Sequence, residues 1–289
     1  MKHFTCKVLT AALIAFAGCT GAVRAQKPLE NSLLWEISGN GLQKPSYLYG
    51  TIHLICENDF YMSDKTKKAF EKSAGLVMET NVFDPSEIAV AQKMMIADTP
   101  ISKKMPPAQF AELDSLVKMG TGVSLMQINN FRLSVVASLL AMKSIPCSTA
   151  KSYEAEFNQM AISTKKTVGV LEKMSEQMEY FNKAFTDDVI IQQIREFNKQ
   201  KEMMAELVKL YRAEQMEELY KLLTEGQSLN DQSLDWLLHN RNANWAERMP
   251  DMMKKESSFF AVGAAHLAGE KGVIRLLRQK GYKVTAVMN

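Results

Sequence analysis

Short apolar runs of strand length stand near both ends of the chain and once in its middle, and the long stretches between them are helical in pattern. The runs are Leu33 to Ser38, Ser46 to Gly50, Gly75 to Glu79, Thr167 to Leu171, Phe259 to Gly263 and Tyr282 to Met288. Gly39-Asn40-Gly41 and Pro45 separate the first two, which predicts a hairpin. Ser63 is placed to cap a helix running to about Ser73, so the second and third runs form a strand-helix-strand unit with a parallel pair. A second such unit closes the chain, with a helix over Glu270 to Lys280 stopped by Gly281.

This alternation predicts an α/β (α+β) fold: a mixed central sheet with βαβ units at both ends and a large helical insertion lobe. The sheet segments fall at about 32–84, 166–173 and 257–289, and the helical insertions at about 85–165 and 174–250. With no repeat and no Ser/Gly-rich linker, 26–289 reads as one domain. Leu133 to Met142 is apolar on nearly every side and is expected to be a buried helix. The second insertion alternates charge with Met, Leu, Ile and Tyr, as solvated helix faces do. Many of the 19 methionines, among them Met126, Met142, Met160, Met174, Met178, Met203 and Met216, occupy apolar helical positions. They make either a pliable core or a pliable peptide-binding face on the lobe.

The first residues carry an export signal. Lys2 and Lys7 flank a basic start, Val8 to Gly18 is small and apolar, and no acid precedes Glu30. The apolar run is too short to span a bilayer. Cleavage after Ala25 is expected; Phe16-Ala17-Gly18-Cys19 is the competing lipoprotein-type site, with Cys19 as the lipidated residue. The expected destination is the periplasm or cell envelope. Losing Lys2, Lys7 and Arg24 cancels the formal charge of +3, so no attraction to nucleic acid or an anionic surface is implied. Cys56 and Cys147 remain, as one disulfide or as two small buried hydrophobes.

Of the four histidines, His3 lies in the leader, and two of the other three share one local context. Tyr-Leu-Tyr-Gly-Thr-Ile-His ends at His53 and Phe-Ala-Val-Gly-Ala-Ala-His ends at His266, each a strand followed by Gly-x-x-His. The glycines, Gly50 and Gly263, are expected to let the backbone turn sharply off the sheet. Two further runs end in carboxylates, Glu79 and Glu172. If these strands are parallel, two imidazoles and two carboxylates converge at the carboxyl edge of the sheet, where such folds bind ligands. That set suits a divalent metal with an open position, or equally a metal-free acid/base pair. Arg241 and Asn242 lie on a helix that can offer a guanidinium and an amide to an oxyanion, while His239, two positions earlier, faces elsewhere and reads as structural.

Taken together and in order, Leu34-Trp35, Tyr49-Gly50-Thr51-Ile52-His53-Leu54, Val77-Met78-Glu79, Gly169-Val170-Leu171-Glu172 with Gln177, Arg241-Asn242 and Val262-Gly263-Ala264-Ala265-His266-Leu267 resemble the TraB/GumN (TIKI-like) family. The resemblance runs from about Ser32 to the end of the chain. It implies an α/β core shared with erythromycin esterase and the haem-binding ChaN proteins, and an activity like that of animal relatives that are metal-dependent proteases. Carried over, His53, Glu79 and His266 would hold a divalent ion (Mn, Co or Zn), Arg241 or Asn242 would stabilise the oxyanion, and Glu172 and Gln177 would either serve the substrate side or support the residues around the ion. At Ser152-Tyr153-Glu154 the chain departs from the Gly-x-Asp of relatives, and no function of that aspartate is carried over.

The leading expectation is a metal-dependent, peptidase-like hydrolase acting on a peptide or a small ester or amide. The alternatives are a metal-independent, esterase-like hydrolase with Glu79 as general base, and a non-catalytic envelope protein that binds haem or peptide through His53 or His266.

Overall fold

A computed structural model of the chain describes residues 28–225 and 229–288; the expected leader and Cys19 lie outside the described residues. Among the described residues eight strands form: β1 Leu34–Ser38, β2 Ser46–Thr51, β3 Ile55–Cys56, β4 Gly75–Met78, β5 Ala150–Lys151, β6 Thr167–Val170, β7 Ser258–Gly263 and β8 Lys283–Ala286. Six of them make one mixed sheet in the order β6-β4-β7-β2-β1-β8, and β3 pairs with β5 in a separate short ribbon. The α/β class and its mixed sheet are thus as expected. Among the described residues no helix is long and apolar enough to cross a membrane.

The hairpin of β1 and β2 forms around Gly39, Asn40 and Gly41, all of which have positive φ, a conformation that glycine and asparagine tolerate best. The βαβ prediction needs one correction. β2 and β4 do run parallel, but β7 lies between them and pairs with both. The last strand-helix-strand unit crosses over β2 and β1 before β8 pairs antiparallel with β1, so the two ends of the chain interleave in one sheet. Its helix spans Val273–Gln279, shorter than the expected Glu270 to Lys280, and Gly281 just beyond it has a left-handed φ of 90°. Interleaving puts the carboxyl ends of β2, β4, β6 and β7 at one edge, pointing the same way.

Every residue of β2 is buried, as are Trp35, Phe259 and Phe260, because helices cover both faces of the central strands. Onto this surface the Tyr153–Ser163 helix docks through Tyr153 and Phe157, which meet Tyr49, Phe70 and Phe259 with ring centroids 4.9 to 5.9 Å apart. The helical insertions divide between two cores. Ile101, Leu113, Leu133 and Val136 pack with Ile190 and Ile194 in a lobe of their own, whereas Leu210, Tyr211, Met216, Trp245 and Met249 join the core of the sheet.

The Leu133–Lys143 helix is not buried all round. Leu133, Val136 and Leu140 face the lobe core, but Met142 is 55% exposed and Ala141 is open. The other side of this helix borders a cleft, lined by Val135, Ala137 and Ala141. The methionines divide likewise: Met174 and Met216 are core residues, while Met126 lies on the surface.

Cys56 and Cys147 form a disulfide, with Cα atoms 5.8 Å apart at a sequence separation of 91. It clips the β3–β5 ribbon, which leaves the sheet just after His53 and leads into Ser152 and Glu154. Cross-linking a loop of this length restricts the unfolded chain most. Reduction, or the pair Cys56→Ser/Cys147→Ser, is expected to lower stability by about 2–4 kcal/mol. Urea unfolding of the oxidised and reduced protein measures it, and coincident curves would refute it.

Candidate active site

Neither Gly-x-x-His turn uses a left-handed glycine. Gly263 has φ −53°, and Gly50 is not among the positive-φ glycines. What both positions require is space. A Cβ on Gly50 would lie 3.1 Å from the Cα of Ala264, so the two turns would have to move apart by a few tenths of an ångström. A Cβ on Gly263 would lie 3.2 Å from Glu79 Oε1, 3.5 Å from His266 Cδ2 and 3.8 Å from His53 Nε2. The expected sharp-turn role is therefore replaced by close approach: Gly263 is the point around which Glu79, His266 and His53 gather.

Arg241 occupies the middle of the group. Its Nη2 donates to Glu79 Oε2 at 2.5 Å and to Glu172 Oε1 at 2.7 Å, and its Nε donates to Glu172 Oε1 at 3.0 Å. Its Nη1 donates to the Leu237 carbonyl at 3.0 Å and to His266 Nε2 at 3.1 Å. A guanidinium has five N–H groups, and this one has five interactions for them. All three charged residues are buried, and further donors complete the carboxylates: Gln177 Nε2 to both of them, the Gly263 N–H to Glu79 at 2.7 Å and Trp245 Nε1 to Glu172 at 3.0 Å.

The helix carrying Arg241 is not continuous α-helix. A π-turn over Asp235–His239 joins Asp231–Leu234 to Asn240–Lys255. The extra residue rotates everything after it by about 100° relative to an unbroken helix, which turns Arg241 and Asn242 toward the sheet edge. His239 stays on the turn itself, bonded to Asp235 at 2.7 Å, in the structural place expected of it.

His266 ends the short 3₁₀ turn Ala264–His266 and is buried against the Trp245 ring, with centroids 4.3 Å apart. Its Nε2 receives the Arg241 hydrogen, so its proton sits on Nδ1 and is donated to Asn242 Oδ1 at 2.6 Å. The Asn242 amide is oriented in turn by its Nδ2 bond to the Lys271 carbonyl at 2.9 Å. Burial, and then the Arg241 cation beside it, pull the imidazole down to about 3, so it is neutral at ordinary pH. Burial alone would lift the Glu79 carboxyl. Arg241, with the imidazoles and the Gly263 N–H, overrides this and holds it well below the usual carboxylate range. Burial wins at Glu172, whose carboxyl is raised against the opposing charge of Arg241.

His53 stands across Gly263 from this cluster and differs from it in kind: its side chain is 69% exposed. Its Nδ1 lies 3.0 Å from Glu154 Oε1, and that oxygen also accepts from Thr51 Oγ1 at 2.7 Å. Ser152 Oγ donates to the other oxygen at 3.0 Å. Partial desolvation opposes protonation of His53, but the Glu154 hydrogen bond and charge, with Glu79 behind them, push the imidazole up to about 9. Glu154 is lowered in exchange, against its own desolvation.

Glu154 is the residue that the sequence reading left without a role. Ser152 caps its helix and Glu154 sits in the first turn, so a capping serine followed by an acid was the local signal. Its partnership with His53 depends on the β3–β5 ribbon, which joins segments about a hundred residues apart.

The expected metal trio of His53, Glu79 and His266 does not fit a shared ion as these residues are arranged. The Arg241 guanidinium lies between Glu79 and His266 and uses the Nε2 lone pair that an ion would need. Among the described residues no three His, Cys, Asp or Glu side chains are grouped to hold a metal. The expected oxyanion role of Arg241 meets a similar obstacle, since none of its N–H groups is left over.

Residues 33–286 match the TraB/PrgY/gumN family along nearly the whole described chain. The chain belongs to that family. Among curated relatives, Metalloprotease TIKI1 of Danio rerio is 23% identical over 312 residues, covering 88% of this chain and 63% of the relative. Metalloprotease TIKI2 of Xenopus tropicalis is 24% identical over 337 residues, covering 96% and 64%. Metalloprotease TIKI2 of Danio rerio is 22% identical, covering 88% and 60%. The chain thus spans a little under two thirds of the length of these relatives. No solved structure matches significantly.

Proposed function

We propose that this TraB/PrgY/gumN family member is an exported, cell-envelope hydrolase that cleaves peptide bonds, with His53 as general base. One observation carries the reading. An exposed imidazole has Nδ1 fixed by a carboxylate that is itself held by Thr51 and Ser152, which leaves Nε2 open toward the cleft over Gly263. In this arrangement the neutral ring takes a proton from water at Nε2, and Glu154 stabilises the imidazolium that forms. Arg241, Glu172, Asn242 and Gln177 act as positioning residues: they fix Glu79 and the neutral His266 at the cleft floor. The names of the curated relatives support the peptide bond as the target. The disulfide and the leader-like first residues support export, because disulfides persist in oxidising compartments.

A metal-dependent version is favoured by the word "metalloprotease" in those relatives' names. Its ion would have to use His53 Nε2 and Glu79 Oε1, the donors that flank Gly263. Incubating a peptide library with the protein, with and without chelator and with added manganese, cobalt or zinc, separates the readings. Cleavage that resists chelation and vanishes in His53→Ala is the expected result. Chelator-sensitive cleavage restored by an added metal would replace it with the second reading. No cleavage under any condition, or an unaffected His53→Ala protein, would refute both.

A further inference from the structure

Beside His53 lies a partly open cavity of about 540 Å³ between the Leu133–Lys143, Met174–Ala184 and Phe197–Arg212 helices. Its wall carries no ionisable side chain other than His53, and the half-buried Met178, Phe181, Phe185 and Met203 line it. An apolar cavity of about 150 Å³ holds one benzene-sized ring, so this one has room for about three such groups. Away from His53, in the part lined by the helices, an acidic or basic side chain would lose hydration and find no counter-charge, at a cost of several kcal/mol. Four methionines among the lining residues can repack around chains of different shape. This explains why the Leu133–Lys143 helix is apolar on faces that it does not bury.

Resting on the hydrolase reading above, we propose that this cavity is a substrate subsite that receives an uncharged, apolar segment of the peptide adjoining the bond attacked at His53. Specificity would then come from two or three consecutive apolar residues instead of from a single charged anchor.

Binding can be read without turnover, using fluorescein-labelled, C-amidated Leu-Phe-Leu and Leu-Asp-Leu peptides with the His53→Ala protein in fluorescence anisotropy. The apolar peptide is expected to bind at least tenfold more tightly than the acidic one. Ala141→Trp, which fills the cavity, and Ser138→Asp, which charges it, should each weaken that binding at least tenfold. Both positions are open to solvent, so neither change disturbs the packed core, and unchanged circular dichroism and Tm verify the fold. Equal binding of the two peptides, or variants without effect, would overturn the proposal. So would decanoate binding in the cavity where the peptide does not, because the occupant would then be an acyl chain. Loss of peptide discrimination in a protein that still cleaves would reject the subsite alone, whereas apolar binding in a protein that never cleaves would reject the hydrolase alone.

Discussion

Replacing Arg241 with alanine is expected to destabilise the folded chain by about 3–5 kcal/mol, the scale for a buried ion pair that loses one partner. It should also remove hydrolysis. Among the described residues the guanidinium is the only positive charge at hydrogen-bond distance from the buried carboxylates of Glu79 and Glu172, and without it both must be desolvated side by side. Lysine should rescue little, since an ammonium has three donors and cannot span two carboxylates, an imidazole and a carbonyl at once. Arg241→Met combined with Glu172→Gln should recover part of the loss, because the second change removes one of the orphaned charges.

The pH dependence gives an independent check on this account. Glu79 is depressed in the folded state, so its contribution is complete above the ordinary carboxylate range and fades as pH falls below it. His266 has its folded value at about 3 against 6.5, so the unfolded chain takes up that proton first, and stability falls as pH drops from 6.5 toward 3. Wild-type protein should therefore weaken steadily on acidification from neutral pH. In Arg241→Ala the carboxyls are pushed up and take protons in the folded state, so the variant should lose less between pH 7 and pH 5. Urea unfolding at several pH values measures both effects. A variant within 1 kcal/mol of wild type with the same pH slope would show that the cluster is not held by this cation.

The strand ends were legible in sequence because β-runs that finish in Gly-x-x-His or in a glutamate declare which side chains leave the sheet at its edge. Strand polarity then placed His266, Glu79 and Glu172 together, and the Arg241-Asn242 pair joined them from a helix. The neighbour relations within the sheet were not legible, because β7 enters between β2 and β4 from nearly two hundred residues away and no local pattern records that. The π-turn has no composition of its own, yet it decides where Arg241 points. Glu154 was missed for the same reason as the central place of Arg241: each depends on a long-range approach that spacing alone does not encode. The Leu133–Lys143 helix shows the opposite error, in which apolar residues read as core line a cleft instead.

His53→Ala should reduce kcat/KM by roughly a thousandfold, within the range for loss of a general base. Its stability at neutral pH should fall modestly, because the largely buried Glu154 loses its partner while the exposed ring itself packs little. The sharper result concerns Glu154. His53 titrates at about 9 in the folded protein, and a base must be neutral to accept a proton, so the rate should rise with pH through about 9. Glu154→Gln keeps a hydrogen-bond acceptor for Nδ1 but removes the charge that holds the proton on the ring. The rising limb should then move acidward, toward the ordinary histidine value of 6.5, with a lower plateau because the imidazolium formed in the reaction is less stabilised. A residue that only propped up the fold would lower the rate without moving the limb. A pH–rate profile of kcat/KM for the two proteins decides between these outcomes, and superimposable limbs would remove Glu154 from the chemistry and leave His53 without its partner.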